Sequence, residues 1–303
     1  MKSLALSGAM VMAEGVVMSS DLHRDETHGA VELSPEVKFV AEAVNWLLSG
    51  MNPREWKVVH LVHHAFQDRE PSPEEWAELQ QKYPGAPIEA FRDPHSPILE
   101  GHLNVLFKNG LVYYRKAAKK ILPYLLELEA NEVDRSQWPP HLKDVDLTQS
   151  RFEQTLDKIP HARSLGLVVT GLGLSAIFGP KQGALTMGVY VPAVLELGGG
   201  VNMLGHTGQV KSEWERLLVI LGKRQAVPDE KGSYASNFFK HISFVTAGEA
   251  NHADHHANPG NPFITSTKFS RDPSSAILIG LSKRSFRGHK LVNFPTSRRR
   301  PDA

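Results

Sequence analysis

The sequence predicts an all-α fold, and three observations support this prediction. Apolar residues recur at helical spacing, for example at Val37, Val40, Val44 and Leu48. Ser-Pro and Asn-Pro pairs stand where helices would begin, because serine and asparagine cap helices whose first residue is often proline. The third observation is a pair of HxxHH motifs, whose three histidines share one face when the segment is helical.

Composition limits the classes of protein to consider. The 303 residues can bury a substantial core, and we expect one domain over residues 1–303. Lys and Arg number 34 against 33 Asp and Glu, so no overall charge favours nucleic acid as a partner. The chain has no cysteine, which excludes disulfides, thiolate metal sites and an in-chain iron–sulfur cluster. Any electrons that a reaction needs must therefore come from another protein.

Three apolar stretches are candidates for membrane contact, at residues 4–18, 165–178 and 184–204. Glu14 interrupts the first and Glu196 the third, and no run reaches the roughly 20 apolar residues of a clear span. At 1.5 Å per residue the second stretch covers only about 20 Å, so hydropathy alone predicts a buried core helix there. Residues 179–183 suit a tight turn, which predicts an antiparallel helical hairpin from the second and third stretches.

The remaining elements follow from caps and periodicity. Helices are expected after the Ser34 and Asn52 caps. Residues 67–92 are polar and rich in proline, with a capping box that starts at Ser72, and they predict a water-exposed insertion. The basic face of a helix at residues 103–130 suits water and anionic lipid head groups equally well. Further helices are expected at residues 147–159, 211–224, 237–250 and 274–281, and residues 283–303 form a basic tail.

Nine histidines fall into motifs that indicate a metal centre. They are His60, His63 and His64 in one HxxHH box, His252, His255 and His256 in the other, His23 and His28 in an HRDETH segment, and His206, four residues after Asn202. At 100° per residue, His23 and His28 diverge by about 140°, so they could reach two metals, or one if the helix ends between them. Neutral imidazole binds iron, zinc, copper and nickel. Nine imidazoles exceed the four ligands of a structural zinc site and suit two ions with four or five nitrogen ligands each.

Other metal chemistries match the sequence less well. There is no HExxH motif, so a zinc protease has no supporting signature. The carboxylates are not spaced as in bundled di-iron proteins that use Glu-x-x-His pairs. His95 and His102 stand outside the motifs and are interpreted as structural histidines.

The boxes HRDETH, HLVHH and HADHH, in this order and with NMLGH between the last two, resemble those of the membrane-bound histidine-box fatty acid desaturases. The likeness is strongest to the bacterial delta-9 acyl desaturases, which are similar to stearoyl-CoA desaturase. Glu55-Trp56, the DPHSP segment and Gly248-Glu249 also look like that family's surroundings of the boxes. The resemblance covers roughly residues 4–270, with gaps.

The resemblance implies a membrane-associated helical bundle with a cytosolic helical cap that holds two Fe²⁺ ions. It assigns ligand and catalytic roles to the nine motif histidines and gives Asn202 a contact to iron through water. Trp56 is a candidate wall of the substrate tunnel, although an aromatic residue beside a helix start also suits a core. Asp254, inside the third box, is a candidate to orient a ligand histidine. Only 22 residues precede His23, where the family places two spanning helices, so we expect the first to be missing or the start codon to be misassigned.

The implied activity is the O₂-dependent introduction of a cis double bond, of the delta-9 type, into a saturated acyl chain. The acyl chain would be carried by CoA, a carrier protein or a phospholipid, and two electrons would come from a ferredoxin, a rubredoxin or a cytochrome. The expected location is the bacterial inner membrane, with the metal site facing the cytoplasm and lipid as a neighbour. A hydroxylase on the same centre, a non-catalytic metal-binding remnant and a structural zinc protein stay open as alternatives.

Overall fold

The computed structural model describes residues 1–239, 243, 246–261 and 290–291. Within these residues the chain is almost wholly helical, and the predicted all-α fold is confirmed. Strands are limited there to a two-residue pair, β1 (Val31–Glu32) antiparallel to β2 (Lys290–Leu291). The helix expected at residues 274–281 lies outside the described residues, as does the basic tail apart from β2.

The first helix, α1 (Lys2–Met18), continues without a break into a π-helix (Ser19–Thr27). Together they form an apolar element of 26 residues that is long enough to cross a membrane. The Glu26 carboxylate accepts hydrogen bonds from Lys38 and Lys57, both at 2.8 Å. These two lysines belong to the next helices, so one half-buried carboxylate joins the π-helix to α2 (Pro35–Leu48) and α3 (Pro53–Ala65).

Local capping signals begin these helices as predicted. The Ser34 hydroxyl accepts from the amide of Val37 at the start of α2, and the Asn52 side chain accepts from the amide of Arg54 at the start of α3. The capping box from Ser72 is present at the start of α4 (Pro73–Lys82). Because each signal involves neighbours in sequence, it can be identified without knowledge of the tertiary fold.

The segment at residues 67–92 is an exposed insertion only around its first helix. α4 buries none of its residues. The second half instead contributes Tyr83 and Phe91 to the main hydrophobic core, together with Trp138 and the buried face of α7 (Tyr114–Ala130). These two aromatic side chains each bury a large apolar area, which stabilises the packing of this polar segment against the core.

The helix predicted at residues 103–130 is interrupted near its start. α5 (Pro97–Glu100) and α6 (His102–Lys108) come first, and a π-helical turn (Asn109–Tyr113) leads into α7. The helix expected at residues 147–159 is shorter than predicted and forms α8 (Arg151–Asp157).

The predicted apolar hairpin is confirmed, and its arms are longer than expected. Only Gly179, with a φ of +89°, separates α9 (Ala162–Phe178) from α10 (Pro180–Gly205). α10 is long and apolar enough to span a membrane. α9 meets that condition only together with α8, to which it is bent by 97°. α11 (Glu213–Ile220) follows α10.

The prediction of a buried core helix at residues 165–178 is wrong. α9 buries only Ala162 and Gly166, and large apolar side chains on it face outward, such as Ile177, which is 73% exposed. Hydropathy gives the same signal for a helix in a protein interior and for a helix surrounded by lipid. The outward orientation of these side chains indicates a lipid environment.

The continuous helix predicted at residues 237–250 is also wrong, as the described residues 237–239, 243 and 246–250 show. Residues 237–239 have no regular secondary structure, and Ala247 and Gly248 both have positive φ, at +51° and +97°. An α-helix requires negative φ at every residue, so it cannot pass through this pair. The third histidine box therefore lies on a helix of only six residues, α12 (His252–Ala257).

Candidate metal centre

The nine motif histidines come together at one end of the two elements that are long and apolar enough to span a membrane. Each histidine offers a ring nitrogen, and these nitrogens form two clusters in which all lie within 4.8 Å of one another. The first cluster, named group A, contains His23, His28, His60, His64 and His255. The second, named group B, contains His63, His206, His252 and His256.

The π-helix explains how His23 and His28 reach the same group. In a π-helix each amide bonds to the carbonyl five residues earlier, and the His28 amide donates to the His23 carbonyl at 3.1 Å. Residues five apart therefore share a face, and the two ring centroids lie 5.0 Å apart. The divergence of about 140° expected for an α-helix does not apply to this segment.

The two HxxHH boxes are each divided between the groups. In both boxes the first and third histidines, four residues apart, enter one group, and the middle histidine enters the other. The middle histidines are His63 of α3, which joins group B, and His255 of α12, which joins group A. Because α3 and α12 each contribute to both groups, the groups lie side by side between these helices.

The distances between ring nitrogens match the spacing of ligands around one metal ion. In group A, His23 Nε2 lies 2.8 Å from His255 Nε2. In group B, His252 Nε2 lies 2.8 Å from His206 Nε2 and 3.1 Å from His256 Nε2. A metal–imidazole distance of about 2.0–2.1 Å places two ligands at right angles about 3.0 Å apart. Each group is therefore of the right size for one ion.

Three carboxylates determine which nitrogen of their histidine partners carries the proton. The pairs are Glu249 with His23, Asp93 with His63 and Asp68 with His206, with oxygen–Nδ1 distances of 2.9, 3.0 and 2.7 Å. An ionised carboxylate only accepts hydrogen bonds, so each Nδ1 is the donor and each Nε2 presents a lone pair. These lone pairs point into the groups, where a cation would relieve their mutual repulsion. The donor set thus fits a metal ion in both groups.

Burial keeps most of the clustered imidazoles neutral, which is their metal-binding form. Burial, with help from neighbouring imidazoles, lowers the pKa of His28 to about 2. The same causes hold the pKa well below its ordinary value in His60, His64, His252, His255 and His256. Burial also acts to lower the pKa of His206, but the adjacent Asp68 carboxylate outweighs it and the pKa is raised.

The sequence of this chain matches the family model described as fatty acid desaturase over residues 3–265, a range that includes all nine histidines. The chain belongs to the fatty acid desaturase family. Membership implies an oxidoreductase that acts on a fatty acyl substrate, with a reaction of the desaturase or hydroxylase type. Comparison with curated proteins gives no significant match, and comparison with solved structures gives none either.

In this desaturase-family chain, the DPHSP turn holds two of the three carboxylates in place. Asp93 is fully buried, and its second oxygen accepts from the amide of Asp68 at 2.8 Å. The Ser96 hydroxyl donates to Asp68 at 2.6 Å. Burial would raise the pKa of Asp93, but His63 beside it lowers the pKa more, so this carboxyl stays ionised. The turn therefore supplies one acceptor, Asp93, and holds the other, Asp68, for the Nδ1 protons of His63 and His206.

Arg216 and Asn237 join two of the three chain segments that supply group B. The buried guanidinium of Arg216 donates to the carbonyl oxygens of Leu204 and Asn237, both at 2.7 Å. The Asn237 side chain accepts from the amide of Ala253, in the first turn of α12, at 2.9 Å. The end of α10, which carries His206, is thereby joined to the helix of the third box.

Asn202 and Trp56 are the two further residues named from the resemblance. Asn202 is buried one helical turn before His206, and its amide nitrogen donates to the Gly198 carbonyl at 2.9 Å. Trp56 stacks on His60, with ring centroids 4.4 Å apart and the planes inclined by 13°. The indole ring of Trp56 is thus in direct contact with an imidazole of group A.

The carboxylates of Asp68, Asp93 and Glu249, which orient ligand rings, are not among the site residues predicted from the sequence. Asp254, the residue predicted for this role, accepts a hydrogen bond from the Asn237 side chain at 3.2 Å. Asp93 and Glu249 belong to the segments that carry the family resemblance, which is the one signal that could have identified them. Asp68 lies 138 residues from its partner in the chain, and no motif spacing connects residues so far apart.

His95 and His102, interpreted as structural, both lie against group B. The ring centroid of His95 is 4.5 Å from that of His63. Its Nδ1 has no hydrogen-bond partner among the described residues. His102 Nε2 donates to the carbonyl oxygen of His206 at 3.1 Å. These two rings therefore line the outside of the group B ligands.

Proposed function

We propose that this chain is an O₂-dependent di-iron acyl desaturase that introduces a cis double bond, of the delta-9 type, into a saturated acyl chain. The observation that supports it most is the division of nine imidazoles into adjacent groups of five and four. A structural zinc site is almost always tetrahedral with four ligands, so the five nitrogens of group A favour a metal with a larger coordination number. Iron meets this requirement and also supplies redox chemistry.

Groups A and B would each hold one Fe²⁺, and the pair would supply the oxidising power, drawn from O₂, that an unactivated methylene requires. The overall change is RCH₂CH₂R′ + O₂ + 2e⁻ + 2H⁺ → RCH=CHR′ + 2H₂O. Since the chain has no cysteine for an iron–sulfur cluster, we propose a ferredoxin, a rubredoxin or a cytochrome as the electron donor. The acyl chain would arrive on CoA, a carrier protein or a phospholipid.

The membrane-spanning elements lead directly to the ligands. His23 lies within the spanning element Lys2–Thr27, and His206 directly follows the span Pro180–Gly205. An acyl chain among these helices would reach both groups from the apolar side. The reacting methylene has no polar group that the protein could bind. Its position must therefore be set by how far the acyl chain extends into the binding site. We propose Trp56, stacked on His60 and edge-on to His23, as the wall that holds the chain there.

Basic side chains support a cytoplasmic orientation of the metal groups. Arg115, Lys116, Lys119 and Lys120 on α7 are exposed, and α7 packs against α3, which carries the second histidine box. Lys and Arg are enriched on the cytoplasmic side of membrane proteins. We therefore propose that the metal groups lie at the cytoplasmic face of a bacterial inner membrane.

We also propose that Asn202 contacts the metal of group B through a water molecule.

The proposal is tested by mass spectrometry of fatty acids from a desaturase-deficient bacterial host that expresses the chain. We expect new cis-monounsaturated chains that disappear in a His255→Ala, His256→Ala variant. The matched control is Gly188→Ala in α10, where an added Cβ meets no atom within 4 Å, and this variant should retain the products.

Each alternative gives a different result in the same experiment. Hydroxylated chains would replace the proposal with a hydroxylase. Stoichiometric iron without any new product, in the presence of each of the three electron donors, would favour a non-catalytic remnant. Bound zinc in place of iron would indicate a structural zinc protein.

A further inference from the structure

α11 exposes an apolar stripe. Trp214 is 66% exposed, and Leu217 and Leu221, three and seven residues further along, are exposed as well. This spacing places the three side chains on one face of the helix. Single exposed apolar residues are ordinary on a protein surface, but a contiguous apolar face on a short helix marks a surface that contacts something.

The opposite side of α11 is fixed to the end of a membrane-spanning helix. Arg216 is buried and donates to the carbonyl oxygen of Leu204, in the last turn of α10. It also donates to the hydroxyl of Ser236 at 2.8 Å and pairs with Glu213 at 2.7 Å. α11 is thus held at the level where α10 ends, which is where a span of 26 residues would leave the hydrocarbon.

A second exposed apolar stripe lies beside the same helix. Leu103, Phe107 and Leu111, on α6 and the π-helical turn after it, are all exposed, Phe107 by 63%. This segment packs tightly along α10: a Cβ on Gly199 would lie only 2.8 Å from the Leu106 carbonyl oxygen. The contact is six residues, or about 9 Å, before the end of α10. Both stripes therefore flank the last turns of the same span.

Basic residues accompany both stripes. Lys211 and Lys223 flank α11, and Lys108 and Arg115 accompany the second stripe; all four are exposed. Apolar side chains next to Lys and Arg at the end of a span are the pattern of a surface that lies in the head-group layer. A water-soluble protein partner would explain the apolar stripe but not its position at the end of α10.

We propose that α11 lies in the head-group layer of the membrane, with Trp214, Leu217 and Leu221 inserted among the acyl chains and with Lys211 and Lys223 bound to anionic lipid phosphates. This surface is separate from the metal groups and does not depend on the reaction that they catalyse. The test below therefore gives its result whether or not the chain is a desaturase.

The test is fluorescence quenching of Trp214 in the full chain, reconstituted in nanodiscs. Acyl chains brominated near the glycerol backbone or near the methyl end act as depth probes, and the difference between wild type and Trp214→Phe isolates the signal of Trp214. A helix in the interface buries its apolar face by about 5–10 Å, so we expect at least about two-fold stronger quenching by the shallow bromines. Aqueous iodide should quench Trp214 weakly. Trp76 on α4, half-buried against the main core, is the control. Its signal, isolated with Trp76→Phe, should not respond to bromine at either depth.

The lipid preference is tested with the same probes. We expect brominated phosphatidylglycerol to quench Trp214 at least about two-fold more than brominated phosphatidylcholine at equal mole fraction, because each Lys near the surface attracts anionic lipid. Lys211→Gln, Lys223→Gln should abolish this preference and leave the depth unchanged. If Trp214 is open to iodide and insensitive to bromine, the stripe faces water and the proposal is refuted. Equal quenching by the two lipids in wild type would refute the anionic part.

Discussion

Replacing Gly205 with alanine should remove the metal of group B and spare that of group A. A Cβ at this last residue of α10 would lie 2.5 Å from His252 Cδ2 and 2.7 Å from His252 Cγ. Non-bonded carbon atoms pack about 3.5–4.0 Å apart, so the ring must retreat by about 1 Å. Metal–ligand distances tolerate only about 0.2 Å. The imidazole of His252 would therefore leave the group, which keeps three ligands.

The assay is the iron content per chain, measured by elemental mass spectrometry after removal of loosely bound metal. The wild type should carry two irons and Gly205→Ala one, with a loss of affinity in group B of at least about 100-fold, the upper range for changes beyond the ligands themselves. Gly188→Ala lies in the same helix with open space around the new Cβ. It should retain both irons and gain up to about 1 kcal/mol of stability, because alanine favours a helix more than glycine does.

A Gly205→Ala variant that keeps two tightly bound irons would refute this reasoning. A double-mutant cycle separates the clash from general damage to the fold. In a His252→Ala background the ring is absent, so adding Gly205→Ala should cost no further iron and no further stability. A further loss in that background would show that the alanine acts through some other contact.

Three other predictions follow from single contacts. Asp93→Asn should weaken metal binding in group B by about 10–100-fold and leave group A unchanged, and Glu249→Gln should do the reverse, as measured by competition with a chelator. Burial lowers the pKa of His141 from 6.5 to about 4. Between about pH 6.5 and 4 this histidine is therefore protonated in the unfolded chain and neutral in the folded chain. The contribution of His141 to stability should be fully present above pH 6.5 and should fall by up to about 3 kcal/mol as the pH drops to 4. His141→Gln, which keeps a donor for the Ala90 carbonyl, should flatten this part of the pH profile in denaturant unfolding; an unchanged profile would contradict the assignment. Arg216→Lys cannot reproduce the forked hydrogen bonds that join the end of α10 to the segment before α12, so it should selectively shift the spectroscopic signal of the group B metal, and wild-type spectra would refute this.

The helices that the sequence predicts well are those with signals between neighbours. Ser34, Asn52 and Ser72 cap helices at the positions expected, because a cap contacts amides only two or three residues away. The candidate ligands are found in the same way, since repeated HxxHH spacing identifies residues that share a face before the fold is known. What these local patterns leave open is which histidine joins which group.

The parts that the sequence does not predict depend on contacts between distant residues or on departures from α-helical geometry. The spacing of His23 and His28 is uninformative until the helix is known to be π-helical. The outward orientation of α9 cannot be read from its hydropathy, because lipid and a protein core select the same residues. Asp68 contacts His206 across 138 residues, and no motif spacing indicates this contact.

The π-helix at Ser19–Thr27 also affects how freely the length of its histidine motif can vary. Four residues of an α-helix and five residues of a π-helix each make about one turn. A chain with one residue fewer between His23 and His28 could therefore form an ordinary α-helix and still present both rings to the same side. α1 would keep its orientation in the bilayer, so Ser7 would still face α10, where its hydroxyl donates to the Thr186 carbonyl. The π-helical turn accommodates an inserted residue locally. Relatives could therefore gain or lose a residue at this point without a rotation of α1 about its axis.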